Sequence, residues 1–356
     1  MSDEPRILVY DSEATGHHRE YIRHIVKYGP HVEGIGHLYL AVHPEVARAE
    51  LQTVPEGCTA VPLDEDAVED FDSTDRAWKR SLKEWKQMHA IATDLAVDHC
   101  IALTLNWFQL ALSLPRSRNT AYTVSGIFFS PYPRSVPKSK TFLHAVLHRI
   151  RHCRKRLLVR TMLCNRRVSA VHVLNDPAVA RHFNQELEGP SDDRFFALPD
   201  PVADCPQAVE AERLRKVYAI DDDRVLFLFF GTISRRKGIF RLITAVQELS
   251  GQAQNKMALL LMGRLKGGQE EDIRSAVDHA RESSDAQFQS DYRFVADWEL
   301  ERALQECDVV LAPYQRTEGS SGVLGHAARA NKPVIGPRTG LIGELIQEYN
   351  LGCTVN

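Results

Sequence analysis

The amino-acid sequence predicts an α/β protein of two doubly wound domains, with parallel sheets facing one another across a cleft. Two observations carry this. Short apolar runs alternate with longer amphipathic stretches to the end of the chain, the pattern of strand–helix crossover units. The runs are continuous in β-branched residues and leucine, which suits strands buried on both faces rather than one. A third feature divides the chain. Leu198–Pro206 (LPDPVADCP) carries three prolines between two periodic segments, and proline continues neither a helix nor a central strand. The boundary is therefore placed there, with domains over 1–203 and 204–356.

In the first domain, Arg6–Asp11 (RILVYD) reads as a buried strand, and Gly16 opens a turn into a helical pattern from Arg19 to Tyr28. Gly36–Val42, Cys100–Asn106, Tyr122–Ser130 and Val168–Asn175 read as further strands. Arg76–His99 is a long helical stretch that sets Trp78, Leu82, Trp85, Ala92 and Leu95 near one face. Beyond the boundary, strands are expected at Val225–Phe230, Ala258–Met262, Tyr292–Val295, Val309–Pro313 and Pro333–Gly336. Helices are expected near 237–249, 270–283, 299–306, 321–330 and 341–349.

The 356 residues are 44% hydrophobic and 26% charged, with a net charge of −3. That composition excludes disordered and fibrous classes and gives no overall attraction to nucleic acid. No apolar stretch approaches the roughly 20 residues of a spanning helix, and the polar, acidic N-terminus does not read as a signal peptide. Seven scattered cysteines, odd in number and without a C-x-x-C pair, fit a reducing cytoplasm better than a disulfide framework or a zinc site.

Ligands of such sheets bind outside the carboxyl ends of the strands, so the loops just after each strand are the candidate site. After Val225–Phe230 come Gly231, then Arg235, Arg236, Lys237 and Gly238 at the start of a helix. Cations are disfavoured at that end by the helix dipole; they either hold an anion between them or point into water. Gly263 makes a second sharp exit. The richest loop holds Glu318, a strong acceptor for sugar hydroxyls, followed by Gly319, Ser320, Ser321 and Gly322, whose amides and hydroxyls form a metal-free anion cradle. His326 follows eight residues after Glu318, within the next helix.

Over about residues 224–352 these features resemble the retaining GT-B glycosyltransferases of family 4, the group 1 glycosyltransferase domain. The matching residues are Gly231, Arg236, Lys237, Gly238, Gly263, Asp308–Pro313, Glu318–His326 and Lys332–Gly336. Before residue 224 the similarity is mostly topological. The resemblance implies two Rossmann-like domains, the first on the acceptor side and the second holding a nucleotide-diphosphate sugar. It implies that Arg236 and Lys237 neutralise the diphosphate and that Glu318 contacts the sugar. In the family a second glutamate holds the ribose; here that position is His326, able to make one hydrogen bond rather than to chelate two hydroxyls. Gly16, His17 and His18 fall where the family has a glycine-rich loop facing the diphosphate. His17 or His18 either binds phosphate or serves the acceptor, or merely caps the helix. Many relatives carry a histidine in the loop near Ser125–Pro133; this chain has Phe128, Phe129, Ser130 and Tyr132 instead. The family also continues past residue 356 with further helices.

The implied activity is transfer of a sugar from a nucleotide-diphosphate sugar to a glycan or lipid-linked acceptor, with retention and without a metal or other cofactor. The alternative is a weakened or inactive descendant that binds sugar nucleotide or glycan. Asp64–Asp66 and Asp221–Asp223 sit in acidic runs rather than after a buried strand, and are read as solvated loops rather than metal ligands. Asn175 and Asp176 end the last strand of the first domain, and either face the site or cap the helix at Pro177. Residues 148–167 (HRIRHCRKRLLVRTMLCNRR) interleave arginines with aliphatic side chains. As a helix this is either a contact for the anionic inner face of a membrane or an ordinary helix with a solvated basic face. Nucleic acid is not expected as a partner, because no aromatic residues are interleaved with the arginines.

Overall fold

The computed structural model describes residues 4–14, 18–74, 76–129, 131–134, 142–187, 193–202, 213–266, 268–317 and 319–356, with backbone only for 142–144 and 187. The chain divides into two compact units, 1–203 and 204–356.

The first unit is built on seven parallel strands: β1 (Arg6–Asp11), β2 (His37–Val42), β3 (Cys58–Ala60), β4 (His99–Ala102), β5 (Thr123–Phe128), β6 (Val168–Leu174) and β7 (Phe195–Leu198), in the order β3-β2-β1-β4-β5-β6-β7. The second has six: β8 (Val225–Phe230), β9 (Met257–Met262), β10 (Gln287–Asp291), β11 (Val309–Leu311), β12 (Val334–Pro337) and β13 (Gly352–Val355), in the order β10-β9-β8-β11-β12-β13. In both sheets the order reverses beside the first strand, between β1 and β4 and between β8 and β11. Those reversals are the topological switch points at which doubly wound sheets bind ligands. Each sheet is covered on both faces. Leu226 and Leu228 belong to one core layer while Phe229 belongs to the other, as the two-residue strand period requires.

Three expectations are corrected. The strand placed at Tyr292–Val295 lies instead at Gln287–Asp291. It is an edge strand, where only Phe288 is fully buried, so it needs no apolar run. The segment Cys100–Asn106 leaves the sheet at Ala102 and turns through a short 3-10 helix at Leu105–Trp107. The long helix spans Ala77–Asp94, and the face read in the sequence is borne out only in part: Ala92 is buried and Trp85 and Leu95 pack against the core, but Trp78 and Leu82 are exposed. The inward face is turned towards Arg80, Ser81 and Glu84, which are buried with Met88. Polar groups on β1 and the loop after it select that rotation, as described below. Strands β3, β7 and β13 were not among the expected elements; each has three or four residues at or next to a sheet edge.

Candidate active site

In the second unit, the loops after β8, β9 and β11 are locked together by backbone contacts. Gly231 leaves β8 with φ +89° and Gly263 leaves β9 with φ +139°; a Cβ on Gly263 would lie 1.9 Å from the carbonyl oxygen of Gly231. Arg235–Lys237 form one 3-10 turn, and Gly238, with φ +87°, joins it to the Ile239–Gln247 helix. A Cβ on Gly238 would lie 1.8 Å from the carbonyl oxygen of Pro313, just after β11. The amide of Gln315 donates to the carbonyl of Arg236 at 3.0 Å. Glycine is therefore required at Gly238 and Gly263 by both conformation and space.

This frame gathers side chains from separate stretches of sequence. The Lys237 ammonium sits 5.2 Å from the centroid of the buried Tyr314 ring and is packed close over Gly231. The Tyr314 hydroxyl is 3.0 Å from Oγ of Ser321. With its hydroxyl engaged there, Ser321 makes no side-chain cap for the Gly322–Arg329 helix. Lys237 is half-buried and forms no ion pair among the described residues. Arg236 is exposed and likewise forms none. Arg235 turns away, donating to Oε1 of Gln269 at 3.1 Å and stacking on Phe240. Of the three expected cations, two remain for an anion. Gly319 and Ser320 are half-buried beside Ser321. His326 is buried, edge-on to Phe230 at the end of β8, with 6.0 Å between ring centroids. Glu318 lies outside the described residues, as do Gly16 and His17 of the first unit.

In the first unit, the residues after β1 form a second polar centre. Asp11 is 2% exposed, and His18 Nδ1 lies 2.7 Å from its Oδ2. Burial pushes the Asp11 carboxyl up, while the hydrogen bond from His18 pulls it down. Alongside, the fully buried Glu84 accepts from Ser12 at 2.7 Å, Tyr10 at 3.2 Å and Arg80 Nε at 3.1 Å. Arg80 Nη2 reaches Glu13 at 2.7 Å, Trp107 Nε1 reaches the same carboxylate oxygen at 3.0 Å, and the guanidinium lies over the Trp107 ring at 4.0 Å. Burial raises the Glu84 carboxyl above its ordinary range against these donors. Asp176 is buried, accepts from the Val179 amide at 3.0 Å and pairs with Arg134 through both oxygens, so it caps the Pro177–Leu187 helix. Asp64 caps a helix through the Ala67 amide, and Asp221 pairs with Arg224.

Tyr314, Asp11 and the Glu13–Arg80–Glu84 network were not among the expected site residues. A charged residue closing a buried strand was the available signal for Asp11. An aromatic residue directly after the proline that ends the β11 segment was the signal for Tyr314.

Residues 210–356 match the model of the family described as glycosyl transferases group 1. The second unit is a group 1 glycosyltransferase domain. No curated protein sequence matches the chain. Among solved structures, the chain resembles WaaG, a glycosyltransferase involved in lipopolysaccharide biosynthesis, with 15% identity, a TM-score of 0.64, and 98% of this chain and 85% of that one covered. It resembles HepE from Anabaena, solved in complex with UDP and glucose, with 16% identity, a TM-score of 0.60 and coverage of 96% and 83%. It also resembles sucrose-phosphate synthase from Thermosynechococcus elongatus, with 13% identity, a TM-score of 0.64 and coverage of 99% and 86%. These likenesses extend over both units and show the GT-B fold. Within the group 1 domain, the loops that carry Lys237, Tyr314 and Ser321 meet at the β8/β11 switch point.

Proposed function

We propose that the chain transfers a glycosyl group from a nucleotide-diphosphate sugar to a hydroxyl acceptor, without a divalent metal. The carrying observation is the convergence at the β8/β11 switch point. A half-buried ammonium without a carboxylate among the described residues lies one aromatic ring away from an N-terminal helix turn that has no side-chain cap. In such a transfer the bond from the anomeric carbon to the diphosphate breaks, and negative charge grows on the leaving oxygen. Fixed cations and helix-start amides stabilise that charge in place of a metal. Lys237 and Arg236 supply the cations; Gly319, Ser320, Ser321 and Gly322 supply amides and hydroxyls; Gly231 and Gly263 let the backbone approach. The resemblance adds Glu318 as the sugar contact and retention as the stereochemical course. HepE, solved with UDP and glucose, makes UDP-sugars the first donors to try.

A binding protein without transferase activity is the second reading, favoured by His326 where the resemblance has a carboxylate. A thermal-shift panel of nucleotide diphosphates in the presence of a chelator tests the first part of the proposal. One nucleotide at about 100 times its Kd should stabilise the group 1 domain by roughly 2.7 kcal/mol. Release of that nucleotide from its sugar conjugate then separates the enzyme from the binding protein.

The Phe142–Leu163 helix supports a membrane-bound acceptor. Val159, Met162 and Leu163 are buried in the core of the first unit, but Val146, Ile150 and Leu157 face solvent, the last two at 59% and 62% exposure. With the exposed Cys153, they fall at helical spacing in one apolar stripe flanked by Arg149, Arg151, Arg154, Lys155 and Arg160. No helix among the described residues is long and apolar enough to cross a membrane. Charge complementarity makes an anionic lipid surface at the cytoplasmic face the proposed occupant. Vesicles with about one-third anionic lipid should sediment the protein at low salt and release it at high salt. Ile150→Ser with Leu157→Ser should weaken binding by about tenfold or more. Equal binding to neutral vesicles, or none to anionic ones, would remove the proposal.

A further inference from the structure

We propose that Arg316 and Arg338 bind a carboxylate on the donor sugar, so that the donor is the nucleotide-diphosphate conjugate of a uronic acid. This rests on the transferase reading above and names the class of sugar that the reading leaves open.

The carboxyl end of the second sheet carries more positive charge than a diphosphate requires. Arg236 and Lys237 follow β8, Arg264 and Lys266 follow β9, Arg316 follows β11 and Arg338 follows β12. None of these six forms an ion pair among the described residues. Elsewhere in the unit Arg215, Arg224 and Arg302 are paired, with Asp308, Asp221 and Glu306. Arg236 and Lys237 already match the charge of a diphosphate esterified on both sides. The sheet order β10-β9-β8-β11-β12-β13 divides the surplus: Arg264 and Lys266 lie on one side of β8, Arg316 and Arg338 on the other. The transferase reading gives the sugar to residue 318, next in the chain after Thr317. Arg316 and Arg338 are therefore the surplus cations on the sugar side.

The backbone that carries this pair is packed. Gly340 has φ +74°, and a Cβ there would lie 2.5 Å from the carbonyl oxygen of Thr317, so the turn bearing Arg338 abuts the loop bearing Arg316. Behind the turn, a Cβ on Gly343 would lie 2.5 Å from the carbonyl oxygen of Arg338. The Arg338 amide donates to the carbonyl of Val355 at 2.8 Å. Two exposed guanidinium groups thus stand on adjoining backbone with no carboxylate to neutralise either. Like charges placed in this way repel one another. A bound carboxylate relieves that repulsion and accepts paired N–H bonds in the geometry a guanidinium offers. The hydroxymethyl group of a neutral hexose relieves nothing, and a uronic acid replaces that group by a carboxylate with little change of shape.

UDP-glucose and UDP-glucuronate differ only there, as do UDP-galactose and UDP-galacturonate. GDP-mannose and GDP-mannuronate take their place if guanosine diphosphate is the stabilising nucleotide. Calorimetry on each pair should show the uronate bound about tenfold more tightly than its neutral partner in at least one pair. Arg316→Gln with Arg338→Gln should abolish the difference; both side chains are exposed, so the fold does not depend on them. Any cation at this end attracts a diphosphate through space, so the ratio of the two affinities is the quantity to compare. Lys266→Gln, an exposed cation on the opposite side of β8, should leave that ratio as in the wild type. Equal binding in every pair would overturn the assignment and leave the diphosphate site standing, and an anion carried by the acceptor would give that same result. A preference that survives in the double variant, or that Lys266→Gln removes as well, would equally overturn it. Wild-type protein that binds no nucleotide diphosphate would fail the donor reading itself, and this inference with it.

Discussion

Gly238→Ala should destabilise the group 1 domain by roughly 3 kcal/mol or more and eliminate its response to nucleotide diphosphate. Two terms add. An alanine at φ +87° occupies a left-handed conformation that costs about 1–2 kcal/mol. Its Cβ would also lie 1.8 Å from the Pro313 oxygen and 2.8 Å from the Pro313 carbonyl carbon. Both neighbours are backbone, so no side chain can swing aside. The loops after β8 and β11 must separate, carrying Lys237 away from Tyr314 and Ser321. Gly34→Ala provides the control. It has φ +82° but nothing within 4 Å of the added methyl, so it should cost only the conformational term. Urea unfolding of the two variants measures the difference, and a Gly238 variant no weaker than the Gly34 variant would contradict the packing described here.

Arg80→Ala should cost about 3–5 kcal/mol at pH 8, because it leaves a fully buried carboxylate without its cation. The penalty should shrink on acidification, and the sign follows from the direction of the shift. Burial raises the Glu84 carboxyl in the folded state above its ordinary value near 4.5. A group raised in this way contributes stability in full below pH 4.5 and loses it as pH rises through the folded value. Removing the guanidinium raises that folded value further, so the gap between variant and wild type widens from about pH 4.5 upward. Glu84→Gln should flatten the pH dependence of the wild type, though only in part, since Asp11 is shifted in the same direction. Denaturant midpoints between pH 5 and 8 read all three curves. A penalty that grew towards acid pH would contradict the assignment of Glu84 as a raised carboxyl.

The parallel sheets were legible because strands such as Val225–Phe230 bury both faces and so appear as unbroken apolar runs. Edge strands need not, and that is why β10 (QFQSD) was displaced onto the more apolar Tyr292–Val295 (YRFV). Strands β3, β7 and β13 were too short, at three or four residues, to stand out, even though β7 reads FFAL. The Ala77–Asp94 helix illustrates a different limit. Its most apolar face was the natural inward face, but Tyr10 and Ser12, more than 70 residues upstream, supply hydrogen-bond donors that draw Glu84 into the core. A partner that distant in sequence leaves no periodic trace. The glycines, cations and Ser-rich loop of the candidate site were legible residue by residue, since each occupies a post-strand position. Their joining through the Tyr314 ring was not, because a single aromatic side chain in a loop has no pattern to reveal which groups it touches.

The central claim is that Lys237 and the loop containing Ser321 serve one diphosphate. The most direct measurement is the Kd of the stabilising nucleotide diphosphate for wild type, Lys237→Met and Ser321→Ala, by calorimetry in the presence of a chelator. A charged hydrogen bond in a half-buried site is worth about 1.5–3 kcal/mol, so Lys237→Met should weaken binding by roughly 10- to 150-fold. Ser321→Ala should weaken it by a smaller factor, with the double variant departing from the sum of the two because both act on the same ligand. Unchanged affinity in Lys237→Met, or strictly additive losses in the double variant, would show that these loops do not share a diphosphate.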